Sequence, residues 1–204
     1  LIVDWMYQFH VPLFFFVSGY LLNVSVSGKP LQPHIFLSRK AVRLLLPYFA
    51  LSTLLFVPKV LLSQFMVRPI QASWREYVLM LIYPYRNVNS SYWFLPTLFL
   101  LFVFAVVALL FFQRLKHRTS LTVTTLLLSL LALANIFLPF SHDTLFNVVG
   151  VIHYAFYFAL GYFVVSFGLM RFLDKRKTSF LVFLFTFVVS IIGLHVNKSP
   201  LMDL

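Results

Sequence analysis

The chain has no cysteine, which removes disulfides, cysteine nucleophiles and cysteine-ligated zinc from consideration. Charge is scarce as well. Only 10% of the 204 residues are Asp, Glu, Lys or Arg, and only 5 are acidic. A water-facing domain carries about a quarter charged residues, so the polar surface of a soluble fold is missing. No Gly-x-Ser-x-Gly segment and no Ser, His and Asp arrangement offers acyl transfer through a serine nucleophile. A basic leader with a cleavage site is also lacking; the chain opens at Leu1, and we read it as a piece of a longer protein.

What is present is apolar: 61% hydrophobic residues, with 26 Phe among them. Runs of the roughly 17–25 residues that span a bilayer recur, near 6–26, 43–66, 92–112, 120–140, 147–169 and 178–196. They lack the alternation of a membrane barrel. The expected fold is therefore all-α, a polytopic transmembrane bundle of about six spanning helices, in a single membrane domain over 1–204. No internal repeat or low-complexity linker is visible. The run Val78 to Tyr83, among Trp74, Tyr77 and Tyr85, is too short to span and is expected to lie along the interface or dip back into the protein.

The net charge of +11 would suggest nucleic acid in a soluble protein. Here the cations sit between apolar runs, where they set topology, and nucleic acid is not an expected partner. Lys29, Arg39, Lys40 and Arg43 follow the first run; Arg114, Lys116 and Arg118 follow the third; Arg171, Lys175, Arg176 and Lys177 follow the fifth. Arg68, Arg75, Arg86 and Lys198 lie on the other side, and Lys59 lies inside a run, where its stem is expected to carry the charge out to headgroups. The richer side is expected to be cytoplasmic, so the amino end with Asp4 and His10 faces out.

One stretch organises the rest. Between Asp4 and Lys29 there is no charged side chain, yet Gln8-Phe9-His10-Val11-Pro12-Leu13-Phe14-Phe15-Phe16-Val17-Ser18-Gly19-Tyr20-Leu21 carries polar residues on an apolar helix. Taken singly, His10 reads as interfacial and Ser18-Gly19 as a small-residue surface for a neighbouring helix. Lys40 and Arg43, with Arg39 beside them, are spaced to converge on one helix face; they suit the phosphates of a nucleotide-bearing cofactor, or else are topogenic residues snorkelling at a helix end. Trp93 opens the third run within Tyr92-Trp93-Phe94-Leu95-Pro96-Thr97-Leu98-Phe99, where an aromatic belt is the plain reading.

Taken together, the first stretch closely resembles the Phe-His-x-Pro-Leu-Phe-Phe-Phe-x-Ser-Gly-Tyr-Leu helix of the acyltransferase-3 family of integral membrane enzymes, in the branch related to fucose 4-O-acetylase. Residues 93–99 resemble a second element of that family, and His153 to Tyr162, ending in Leu160-Gly161-Tyr162, a third. Lys40 stands where the family's Arg-x-x-Arg element usually has its first arginine, which keeps the charge and gives up the bidentate fork. The resemblance implies transfer of an acyl group, commonly acetyl from acetyl-CoA, to a hydroxyl of a sugar or cell-surface glycan, with no metal, in a bacterial cytoplasmic membrane.

It also implies the site. Arg39, Lys40 and Arg43 are assigned to acyl-CoA, and Ser18 and Trp93 to the substrate pocket. The family's catalytic histidine lies in an earlier helix, within an Arg-x10-His element that this chain does not hold. His10 is the best remaining catalytic candidate, better placed for the acceptor than for the base, because a span of roughly 30 Å separates it from Lys40 and Arg43. The 204-residue piece alone is expected to be inactive. The alternative function is a transporter or flippase of glycan precursors, although no paired broken segments occur in two corresponding halves.

Overall fold

The structure, a computed structural model, describes residues 2–27, 31–65, 73–112, 117–137 and 144–166. Every regular element among them is helical: α1 (Ile2–Val26), α2 (Pro33–Leu61), α3 (Trp74–Ile82), α4 (Phe94–Phe112), α5 (His117–Phe137) and α6 (Val148–Ser166). Short 3₁₀ turns occur at Ser63–Phe65, Pro84–Arg86, Ser90–Trp93 and Leu145–Asn147. The all-helical expectation therefore holds. Segments Pro33–Leu61, Ser91–Phe111 and Leu145–Ser166 are long and apolar enough to cross a membrane, and His10–Val26 is a shorter apolar helix.

Two expectations about the spans change. α3 has 9 residues, about 14 Å of helix, too short to span. Among the described residues the six helices thus include three of spanning length and apolarity and one shorter apolar helix, where about six spans were expected. The run expected near 178–196 lies outside the described residues. α2 begins at Pro33 rather than near 43. Proline fixes φ at a first-turn position where no N–H is needed, and charged side chains do not break a helix. Arg39 and Lys40 thus stand on helix two turns in, not in a loop.

The chain divides into two compact units, after Lys29 and again after Phe156. In the first, α1 packs on the second half of α6. A side-chain carbon built at Gly19 would overlap the backbone carbonyl of Phe158, and one built at Gly161 would overlap that of Phe16. Glycine is needed at both places because the backbones themselves touch, as small residues permit between membrane helices. One turn on, the Asn23 Nδ2 donates to the Tyr162 carbonyl at 3.1 Å and to the Ser166 hydroxyl at 2.6 Å. The two helices consequently run parallel, as the loop charges predict for the first and fifth runs. Phe16-Val17-Ser18-Gly19-Tyr20 lies beside Phe158-Ala159-Leu160-Gly161-Tyr162, a local repeat that a search for longer repeats passes over.

In the second unit α2 runs antiparallel to α4. Near the start of α2, Phe36 meets Phe102 edge to face at 5.8 Å; near its end, Lys59 donates to the Val88 carbonyl just ahead of α4. Lys59 therefore closes on protein rather than reaching for headgroups. Buried Tyr48 donates to the Leu81 and Met80 carbonyls at 3.0 and 3.3 Å, and the Asn87 Nδ2 donates to Ser52 at 2.8 Å. These bonds meet the backbone polar groups where α3 ends, which an apolar setting would otherwise leave costly. They dip the segment back onto α2, one of the two courses the short apolar run allowed. Tyr77 adds a hydroxyl contact to Thr53 at 2.7 Å.

Candidate active site

The first turns of α2 carry the three cations expected to meet the acyl donor. Arg39 and Arg43 are exposed, and their four-residue spacing puts them on one helix face. Lys40 is turned aside. Its Nζ lies 4.0 Å from the centre of the Phe102 ring on α4 and 5.4 Å from that of Phe36, a placement in which the ring faces attract the ammonium. Arg39 and Arg43 are thus the exposed cations, and Lys40 lies half-buried, near enough to Arg43 to feel its charge.

Trp93 ends the 3₁₀ turn that leads into α4, roughly 14 Å along the helix from Phe102. Its indole stacks with Tyr85 at 5.3 Å and 12°, and with Tyr154 of α6 at 5.3 Å and 25°. Burial pushes the Tyr85 phenol up, and the nearby Tyr154 phenol adds to the effect, so Tyr85 is a neutral hydroxyl at physiological pH. Beneath the stack, Thr97 donates to the Trp93 carbonyl at 2.7 Å and accepts from the Asn147 Nδ2 at 2.8 Å. Thr97 and Asn147 are both fully buried, and His153 is 8% exposed. An aromatic belt facing lipid does not describe this end of α4; Trp93 belongs to a packed aromatic and amide cluster.

His10 and Ser18 lie in the other unit. His10 is exposed on α1. Ser18 is buried, and its hydroxyl donates to the Phe14 carbonyl of its own helix at 2.8 Å, beside the glycine crossing. Reading the sequence missed Thr97, Asn147, Ser52 and Asn87. Their one visible signal is a side-chain amide or hydroxyl at the edge of, or inside, an apolar run, where an unmet polar group is costly.

Apolar helices carrying cations two to three turns into α2, a half-buried lysine and a packed aromatic and amide cluster make this an integral membrane protein with polar chemistry built into its spans. The acyltransferase domain that defines the acyltransferase 3 family matches residues 3–200, and the chain belongs to that family. No curated protein and no solved structure matches it. Membership implies acyl transfer from an acyl donor.

Proposed function

We propose that the protein moves an acyl group, acetyl being the expected one, from acyl-CoA at the cytoplasmic face of a bacterial inner membrane to a hydroxyl of a sugar or cell-surface glycan. A general base takes the hydroxyl proton, the oxygen bonds to the thioester carbonyl carbon, the C–S bond breaks, and the thiol leaves with a proton. In this reading Arg39 and Arg43 grip the phosphates of the donor, since paired guanidiniums suit phosphate oxygens. Lys40 adds positive potential behind them. His10 and Ser18 in the first unit are assigned to the acceptor, and so, separately, is Trp93 in the second.

The observation that carries the proposal is the exposure of Arg39 and Arg43 on one face of α2 with Lys40 beside them, in a family defined by acyl transfer. The test is acetyl-CoA binding to the full-length protein in detergent. Changing Arg39, Lys40 and Arg43 together to Ala is expected to weaken binding about tenfold or more, the loss of at least one charge-assisted hydrogen bond. Binding to the unsubstituted protein should also fall as salt screens the cations. Unchanged acetyl-CoA affinity in the triple variant would remove the donor site from α2, and indifference to acyl-CoA in every assay would overturn the acyl-transfer reading in favour of a non-catalytic one such as a transporter.

A further inference from the structure

The turn that opens α6 holds a hydrogen-bond acceptor that meets no donor among the described residues. Asn147 is wholly buried, at 0% exposure. The orientation of its amide follows from the chemistry of its neighbour. Thr97 donates its hydroxyl proton to the Trp93 carbonyl, so toward Asn147 it can only accept, and the Asn147 Nδ2 is the group that faces it. Oδ1 points the other way, where it meets no donor among the described residues. The Thr144 hydroxyl, in the same turn, is likewise buried with no partner among the described residues. Buried polar atoms are nearly always paired, and one that is not calls for an explanation.

The surroundings are built to keep the amide where it is. A carbon added to Gly150 would overlap the Asn147 side chain, so only glycine leaves that room. The Asn147 N–H is held by the Thr144 carbonyl at 3.0 Å. Phe146 and Asn147 both take positive φ, 47° and 56°, which Asn tolerates and Phe resists. The turn sits at the N-terminus of α6, a helix of 19 residues, whose unpaired N–H groups carry partial positive charge.

These facts narrow the missing donor. An amide oxygen needs an O–H or N–H. The end of a helix that repels cations disfavours an ammonium, and it favours a group that becomes negative as it loses a proton. A neutral hydroxyl fits both conditions, and the stack of Tyr85, Trp93 and Tyr154 next to it offers aromatic surface for a sugar ring. Resting on the acyl-transfer reading above, we propose that Asn147 Oδ1 accepts a hydrogen bond from a hydroxyl of the acceptor sugar, with the Thr144 hydroxyl as a second contact. Asn147 is a positioning residue, because a neutral amide takes no proton at physiological pH.

The test uses the full-length protein in lipid, acetyl-CoA as donor, and a panel of methyl glycosides of hexoses and deoxyhexoses as acceptors. Asn147→Ala should raise KM for the best glycoside about tenfold, the value of one hydrogen bond, and leave KM for acetyl-CoA unchanged. Thr144→Val, which removes only the second contact, should raise the glycoside KM by a smaller factor, about threefold, and leave KM for acetyl-CoA unchanged. If Asn147→Ala does not fold, Thr144→Val decides alone: a raised glycoside KM beside a normal acetyl-CoA KM supports the assignment, and an unaltered glycoside KM overturns it. Both KM values moving together, or neither moving, would overturn it too. Failure of the unsubstituted protein to acetylate any glycoside overturns the acyl-transfer reading itself. Transfer with an unaltered glycoside KM in Asn147→Ala removes Asn147 only.

Discussion

The two compact units are held together by opposite means. Where α1 meets the second half of α6, the contact is backbone against backbone, with Gly19 and Gly161 as the places where nothing larger fits. Where α2 meets α3 and the turn at Pro84–Arg86, side chains do the joining: Tyr48, Ser52 and Asn87 reach across to carbonyls and to each other. A close approach tolerates no added atom, whereas a hydrogen-bonded seam tolerates changes of shape but not the loss of a donor.

The sharpest way to break this contrast is Gly19→Leu. Forcing a side chain into the Phe158 carbonyl should cost about 3 kcal/mol, at the upper end of overpacking penalties, and should open the first unit alone. Because the chain holds no cysteine of its own, introduced pairs report cleanly. A cross-link between Asn23→Cys and Ser166→Cys should disappear in Gly19→Leu, while one between Ser52→Cys and Asn87→Cys should persist. Loss of both would mean that the units do not fail separately. A smaller effect is expected from Tyr48→Phe, which keeps the ring and takes the hydroxyl from the Leu81 carbonyl, while the Met80 carbonyl keeps the Asn87 Nδ2 at 3.4 Å; about 1 kcal/mol should be lost in denaturant unfolding followed by circular dichroism. The smallest is Asn23→Leu. Interhelical hydrogen bonds in membranes average about 0.6 kcal/mol, so this variant should unfold almost as the unsubstituted protein does, and a loss as large as that of Gly19→Leu would make the amide, not the glycines, the main link.

Legibility followed the same division. Ser18-Gly19 stood out in the sequence because small residues between membrane helices have one common use; Leu160-Gly161-Tyr162 stood out only by its family resemblance, and its part in the same contact was not foreseen. The helical class and the long apolar segments were readable from hydropathy for a similar reason: in lipid, backbone polar groups must be met within the segment. The side-chain network was not readable. Asn87 and Ser52 are 35 residues apart, and Asn147 and Thr97 are 50 apart; no local pattern links such partners. Lys40 shows the limit within a single turn. Its spacing from Arg43 placed it on a shared face, but the Phe102 ring that draws it aside comes from another helix.

The glycine crossing also sets a schedule for assembly. Asn23 and Tyr162 are separated by 139 residues, and at a synthesis rate of about 5–20 residues per second the ribosome needs roughly 7–30 s to travel from one to the other. Through that interval α1 has left the ribosome without the helix whose backbone it touches, and every described helix between them is made first. The close backbone approach at Gly19 and Gly161 is thus a contact that only the nearly complete chain can make.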